Sequence, residues 1–156
     1  MPVFVNDSEI TDDQVFAEMQ YHPSATLEEA QEKAASALAI REMLLQEASR
    51  LGITPPETET TQEIRDEYLI NQLLEQEVKT PEADETICRR YYDQHQHTFK
   101  DTQGNPVLFE YVQSTIEAYL KDISWQIAVK QYLKILIGKS RIAGVRLEGA
   151  DSPLVQ

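Results

Sequence analysis

Three histidines and one cysteine are the side chains of this chain best suited to metal binding or nucleophilic chemistry. His95 and His97 lie two residues apart, whereas a helical metal site needs ligands four residues apart on one face. The helix expected before them frays here, so we predict ordinary surface histidines, and we expect the same of His22. No metal site is predicted.

Cys88 is the single cysteine, which excludes an internal disulfide and a zinc site built from several thiolates. Arg89 and Arg90 beside it would favour a reactive thiolate. Its spacing with Ile87 and Tyr91, however, is typical of the inner edge of a helix. We therefore predict a buried structural thiol.

Carboxylate pairs such as Glu28-Glu29 and Asp66-Glu67 are the remaining candidates for catalysis. General acid–base chemistry needs a carboxylate in a perturbed environment, and these pairs have no histidine or polar cluster beside them. The sequence also contains no glycine-rich phosphate loop and no serine in a nucleophile-elbow pattern. The residues predict neither an enzyme nor a cofactor.

The chain of 156 residues is strongly acidic, with 27 Asp and Glu against 14 Lys and Arg and a net charge of −13. Phosphate backbones and anionic lipids repel such a surface, so we expect no nucleic-acid or membrane partner. The acidic excess lies in residues 1–99, whereas residues 100–156 are nearly neutral. This asymmetry favours docking of the two halves on each other, self-association or, more simply, a solvated acidic face.

The chain contains no signal-peptide pattern and no apolar run long enough to span a bilayer. We expect a cytoplasmic protein.

Capping residues and hydrophobic periodicity predict a mainly α-helical fold. The expected elements are a strand at 2–6, a helix capped by Thr11 and reaching 21, a helix at 27–51, a helix capped by Thr60 and reaching 78, a helix capped by Thr80 with Pro81 at its first position, a helix at 107–137 ended by Gly138, and a strand at 142–147. About five helices between two terminal strands suggest one domain over 1–156 in which the strands form a two-stranded ribbon. Such a ribbon must lie against helices or a partner chain.

Aromatic side chains outnumber the positions that one helical core stripe needs. Most fit the core, but Tyr111 and Trp125 fall off the main stripe of the last helix. An exposed aromatic patch would bind apolar peptide. The predicted peptide-binding residues are Tyr91, Tyr92, Phe99, Phe109, Tyr111 and Trp125.

Several stretches resemble the helical part of parvulin-type peptidyl-prolyl isomerases and SurA-like chaperones, in their cytosolic NifM-like branch. They are VFVNDSEIT at 3–11, AIREMLLQEASRLGI at 39–53, PEADETICRRYY at 81–92 and IAGVRLEGADSPLVQ at 142–156, with FEYV at 109–112 between them. The resemblance covers nearly the whole chain and implies a SurA-like helical chaperone module closed by its terminal strands.

The chain departs from that family where its relatives carry the catalytic parvulin domain. Residues 98–107 form only a short predicted loop, so no catalytic residue of the family has a counterpart here. The resemblance then implies an ATP-independent module that binds unfolded or maturing polypeptides as a homodimer, with its terminal strands placed for swapping. The alternatives are a dedicated NifM-like maturation partner of one protein, such as a nitrogenase component, and a residual prolyl isomerase.

Overall fold

The computed structural model describes residues 2–57 and 61–147. Within them the chain forms five α-helices and three short strands, so the mainly α-helical prediction is confirmed. In chain order these are β1 (Val3–Val5), β2 (Ser8–Ile10), α1 (Asp12–Glu18), α2 (Leu27–Arg50), α3 (Gln62–Glu77), α4 (Glu85–Gln94), α5 (Phe109–Lys139) and β3 (Ile142–Ala143), with 3₁₀ turns at Met19–Tyr21 and Gln96–Thr98.

Residue contacts divide the chain into two compact units. The first comprises Met1–Val78 and Val129–Gln156, as far as these residues are described, and the second comprises Lys79–Ala128. The division falls inside α5, which contributes residues to both units.

The sheet of the first unit has the strand order β2-β1-β3 and is antiparallel throughout. The predicted pairing of the two terminal strands is confirmed, since Phe4 lies opposite Ala143 and Val5 opposite Ile142. The predicted two-stranded ribbon lacked one strand. After the turn at Asn6-Asp7 the chain reverses and forms β2, which pairs with β1. The last strand covers only Ile142–Ala143. The prediction extended it to residue 147, but residues 144–147 are not part of a strand.

Helix α2 is the centre of the first unit and packs against α1, α3 and β1. It begins as predicted, with the Thr26 hydroxyl accepting a hydrogen bond from the Glu29 backbone N–H at 3.1 Å. Its buried face consists mostly of small side chains that let neighbouring elements approach closely: Ala30, Ala34, Ala35, Ala39, Ile40, Met43, Leu44 and Ala48.

Three predicted helix ends were wrong. Helix α4 is capped by Asp84 and not by Thr80, because the Asp84 carboxylate accepts a hydrogen bond from the Ile87 N–H at 2.9 Å. Helix α5 continues past Gly138 to Lys139. It begins at Phe109 and not Val107, since the Val107 N–H donates to the Phe99 carbonyl at 2.8 Å.

Two other expectations near the first helices differ as well. Helix α3 is capped by Thr61, whose hydroxyl accepts from the Ile64 N–H at 3.3 Å; the predicted cap, Thr60, lies outside the described residues.

Phe16, which the periodicity placed on the buried face of α1, is 77% exposed. Helix α1 is only seven residues long and buries Val15 alone, so it has no room for a second buried row.

None of the helices in the described part of the chain is long and apolar enough to cross a membrane.

Candidate functional site

The second unit brings four of the six predicted peptide-binding residues together. The ring centroids of Tyr92 and Phe99 are 5.4 Å apart, those of Tyr92 and Phe109 are 5.6 Å apart, and those of Tyr91 and Phe99 are 6.2 Å apart. Phe109 is buried, and the other three pack on the core that it forms with Cys88 and Ile116. These rings therefore contribute to the hydrophobic core of the unit.

Two of these rings, Tyr92 and Phe109, are also held by contacts with polar groups. The Tyr92 hydroxyl donates to the Val107 carbonyl at 2.6 Å, and the Arg89 guanidinium lies 4.5 Å from the centroid of the Phe109 ring. The geometry thus gives each a structural task, whereas a peptide-binding role for them stays a prediction.

The other two predicted residues are placed differently. Tyr111 is 74% exposed on the first turn of α5, and Trp125 is half-buried further along the same helix. In the described part of the chain no ring contact joins either of them to the four packed rings. Tyr111 is the one member of the predicted set whose ring is largely open to solvent.

His95 packs against the end of its own helix, α4. His95 stacks on Tyr91 with the ring centroids 4.0 Å apart, and its Nδ1 lies 2.9 Å from the Tyr91 carbonyl oxygen. His97 is 6.4 Å from His95 between ring centroids. Within residues 2–57 and 61–147 no three His, Cys, Asp or Glu side chains come close enough to hold a metal ion.

Cys88 is fully buried, and its thiol donates to the Ala83 carbonyl at 3.6 Å. Burial raises the pKa of the Cys88 thiol, and the negative charges of Glu117 and Asp84 raise this pKa further. The Arg89 guanidinium pairs with the Glu85 carboxylate at 3.2 Å, and burial of the thiol is the largest cause of its raised pKa. The predicted structural thiol is confirmed by this burial.

The first unit contains an open cleft of about 530 Å³ that the sequence analysis missed. Helix α2 forms its floor, α1 and the following 3₁₀ turn form one wall, and α3 forms the other. Its lining residues are Glu18, Tyr21, Ala37, Leu38, Ile40, Arg41, Glu63 and Glu67.

The cleft combines an apolar floor with a charged rim. Ile40 is buried beneath it, Leu38 is half-buried, and the Tyr21 ring at the edge is 69% exposed. Glu18 is held by His22, with Oε2 and Nε2 2.9 Å apart. Such an arrangement can contact an apolar side chain at its floor and a charged group at its rim.

One sequence signal could have pointed to this cleft. Glu63 and Glu67 are four residues apart on α3, so they lie on one face of the helix. The signal was weak because nothing local shows which element this face opposes.

No family model, curated protein or solved structure matches this chain. The family resemblance described above therefore stays a hypothesis, and the function must be argued from the chain's own geometry.

Proposed function

We propose that this protein is an ATP-independent, chaperone-like module that binds unfolded or maturing polypeptides and has no prolyl isomerase activity. The observation that supports it best is the open cleft on α2, where Tyr21 exposes most of its ring beside the apolar floor. An exposed aromatic ring next to an apolar concavity favours binding of apolar side chains from another chain. We expect the protein to act in the cytoplasm.

The connection between α4 and α5 is consistent with a SurA-like module that lacks its catalytic domain. Lys100 and Pro106 form a bridge, and the Asp101 carboxylate accepts from the N–H groups of Gln103 and Asn105, both at 2.9 Å. This compact turn closes the interval in which the resembling family carries its parvulin domain. It supports the proposal that binding occurs without isomerisation.

Suppression of aggregation tests the proposal. Wild-type protein at an equimolar ratio should reduce light scattering by a thermally unfolding client, and Tyr21→Ser should lose most of this effect. Phe16→Ser is the matched control, because Phe16 is a similarly exposed aromatic residue that does not line the cleft. If wild-type protein leaves the scattering of every client unchanged, the proposal is wrong.

Tyr111→Ser tests the alternative location of the site. Loss of activity in this variant, with Tyr21→Ser unaffected, would assign polypeptide binding to the exposed ring on α5 and not to the cleft. A proline-limited refolding assay completes the comparison. Catalysis there would favour the residual isomerase.

A dedicated maturation partner of one protein is the second candidate. The volume of the cleft, about 530 Å³, accommodates only a few side chains and is compatible with one short recognition segment. Stoichiometric co-purification of a single protein, with no effect on generic clients, would favour this function.

We also propose a homodimer, and the terminal strands are the elements best placed to exchange between subunits. Only two residues of β3, Ile142 and Ala143, pair with β1, so the strand pairing that a swap must break is short, and the two hydrogen bonds between Asn6 and Arg141 would break with it. Light scattering of the purified protein should give the mass of two chains. The mass of one chain would exclude the dimer.

A further inference from the structure

The walls of the α2 cleft carry unequal charge. Three carboxylates line it, from Glu18, Glu63 and Glu67, against one guanidinium, from Arg41. His22 pairs with Glu18, but Glu63 and Glu67 form no ion pair with any described residue. The α3 wall therefore presents two carboxylates outside any of these ion pairs, and Arg41 on α2 offsets only one of the three negative charges that line the cleft.

These two carboxylates repel each other. They are four residues apart on α3, and like charges at this spacing destabilise a helix. A cation bound between them would relieve the repulsion and would at the same time gain two favourable contacts. The wall is thus better suited to a positively charged group than to a neutral or negative one.

We propose that the cleft selects polypeptide segments in which an apolar side chain is adjacent to lysine or arginine. The apolar side chain contacts Tyr21 and Leu38, while the cationic group lies against Glu63 and Glu67. The inference rests on the proposed polypeptide binding and narrows its substrate class. The net charge of −13 favours the same partners, because it steers cationic segments toward the protein.

Three short fluorescent peptides with identical apolar residues test this selection. They carry lysine, glutamine or glutamate beside the apolar residues, and their affinities are measured by fluorescence anisotropy. The lysine peptide should bind about tenfold more tightly than the glutamine peptide, as expected for two solvent-exposed ion pairs, and the glutamate peptide should bind most weakly. High salt should reduce the difference because it screens exposed charges.

Variants assign the preference to the α3 wall. Glu63→Gln combined with Glu67→Gln should lower the affinity for the lysine peptide to that for the glutamine peptide. The matched control combines Glu28→Gln with Glu32→Gln, an exposed pair at the same spacing on α2 that does not line the cleft, and it should keep the preference. Tyr21→Ser should lower the affinity for all three peptides by the same factor.

The possible failures can be told apart. Equal affinities for the three peptides would overturn the charge selection and leave polypeptide binding intact. Absence of binding by all three would overturn polypeptide binding as well. If the Glu63→Gln and Glu67→Gln variant instead changes a dimer into a monomer without altering peptide affinity, a second copy of the chain occupies the cleft and the proposal is wrong.

Discussion

Asn6 and Arg141 exchange two hydrogen bonds across 135 residues of sequence. The Asn6 backbone N–H donates to the Arg141 carbonyl at 2.7 Å, and the Arg141 backbone N–H donates to Asn6 Oδ1 at 2.9 Å. The Asn6 side-chain amide also donates to Gln46 Oε1 at 2.7 Å. One turn residue thereby connects the β1–β2 hairpin to the start of β3 and to α2.

Substitutions of Asn6 should separate the backbone requirement from the side-chain bonds. Asn6 has a φ of 55°, the only positive value among the described residues other than glycine. Asn6→Gly keeps this conformation but loses the side-chain bonds, whereas Asn6→Ala loses the bonds and adds strain. We expect Asn6→Ala to lower the free energy of unfolding by about 2–3 kcal/mol and Asn6→Gly to lower it less. Urea denaturation measures both, and equal losses would show that the positive φ is unimportant.

Gly144 allows the close approach of the C-terminal segment to the N-terminus. It has a φ of +84°, and a Cβ atom there would collide with the carbonyl oxygen of Pro2. Gly144→Ala should therefore lower the free energy of unfolding by about 2–4 kcal/mol, because strain and a backbone clash add.

Gly104→Ala is the matched control for Gly144→Ala. Its φ of +82° is nearly the same, but the space around a Cβ atom there is open. Strain alone should lower the free energy of unfolding of Gly104→Ala by about 1 kcal/mol. Hydrogen exchange at Val5 should accelerate only in Gly144→Ala. Equal effects of the two variants would contradict the clash.

The buried hydroxyl of Tyr132 has no hydrogen-bond partner among the residues that the structure describes. Burial, with Glu47 and Glu77 as further causes, raises the pKa of Tyr132 to about 12. Because the folded pKa exceeds the ordinary value of 10, the native state holds this proton longer than the unfolded state. The associated stability is fully present below pH 10 and is lost as the pH rises toward 12.

Tyr132→Phe isolates this contribution. It removes an unsatisfied hydroxyl, so its stability at neutral pH should equal or exceed that of the wild type by up to about 1 kcal/mol. At alkaline pH the wild type should lose roughly 2 kcal/mol more than the variant, as expected for a shift of this size in a half-buried group. Parallel urea titrations at neutral and alkaline pH measure the difference. Identical losses would contradict the shifted pKa.

The Cys88 thiol should be unreactive in the folded protein. It is fully buried, and its pKa is raised by burial and by nearby carboxylates, so both access and thiolate formation are suppressed. A thiol reagent should label the native protein at least about 100-fold more slowly than the denatured protein. Cys88 is the single cysteine, so all of the labelling signal comes from this thiol. Rapid native labelling would contradict its burial.

Local sequence signals predicted most of the helices. Thr11 and Thr26 cap α1 and α2 as expected, because an N-cap bond forms between residues three apart and needs no other part of the chain. The same reasoning failed at Thr80, where Asp84 is a competing cap of equal or greater strength four residues later. Strand β2 was missed because three residues carry little periodicity, and its pairing is decided by β1.

The sequence by itself determined the helical class and the acidic character, since these depend on composition, capping and short-range periodicity. Only the tertiary structure decided which aromatic rings pack in the core and which stay exposed to solvent. Tyr92 and Phe109 pack with each other, whereas Tyr21 remains exposed beside a cleft lined by α1, the 3₁₀ turn after it, α2 and α3. A cleft is a relation between distant segments, and hydrophobic contact is non-directional, so no local pattern specifies which faces are left uncovered.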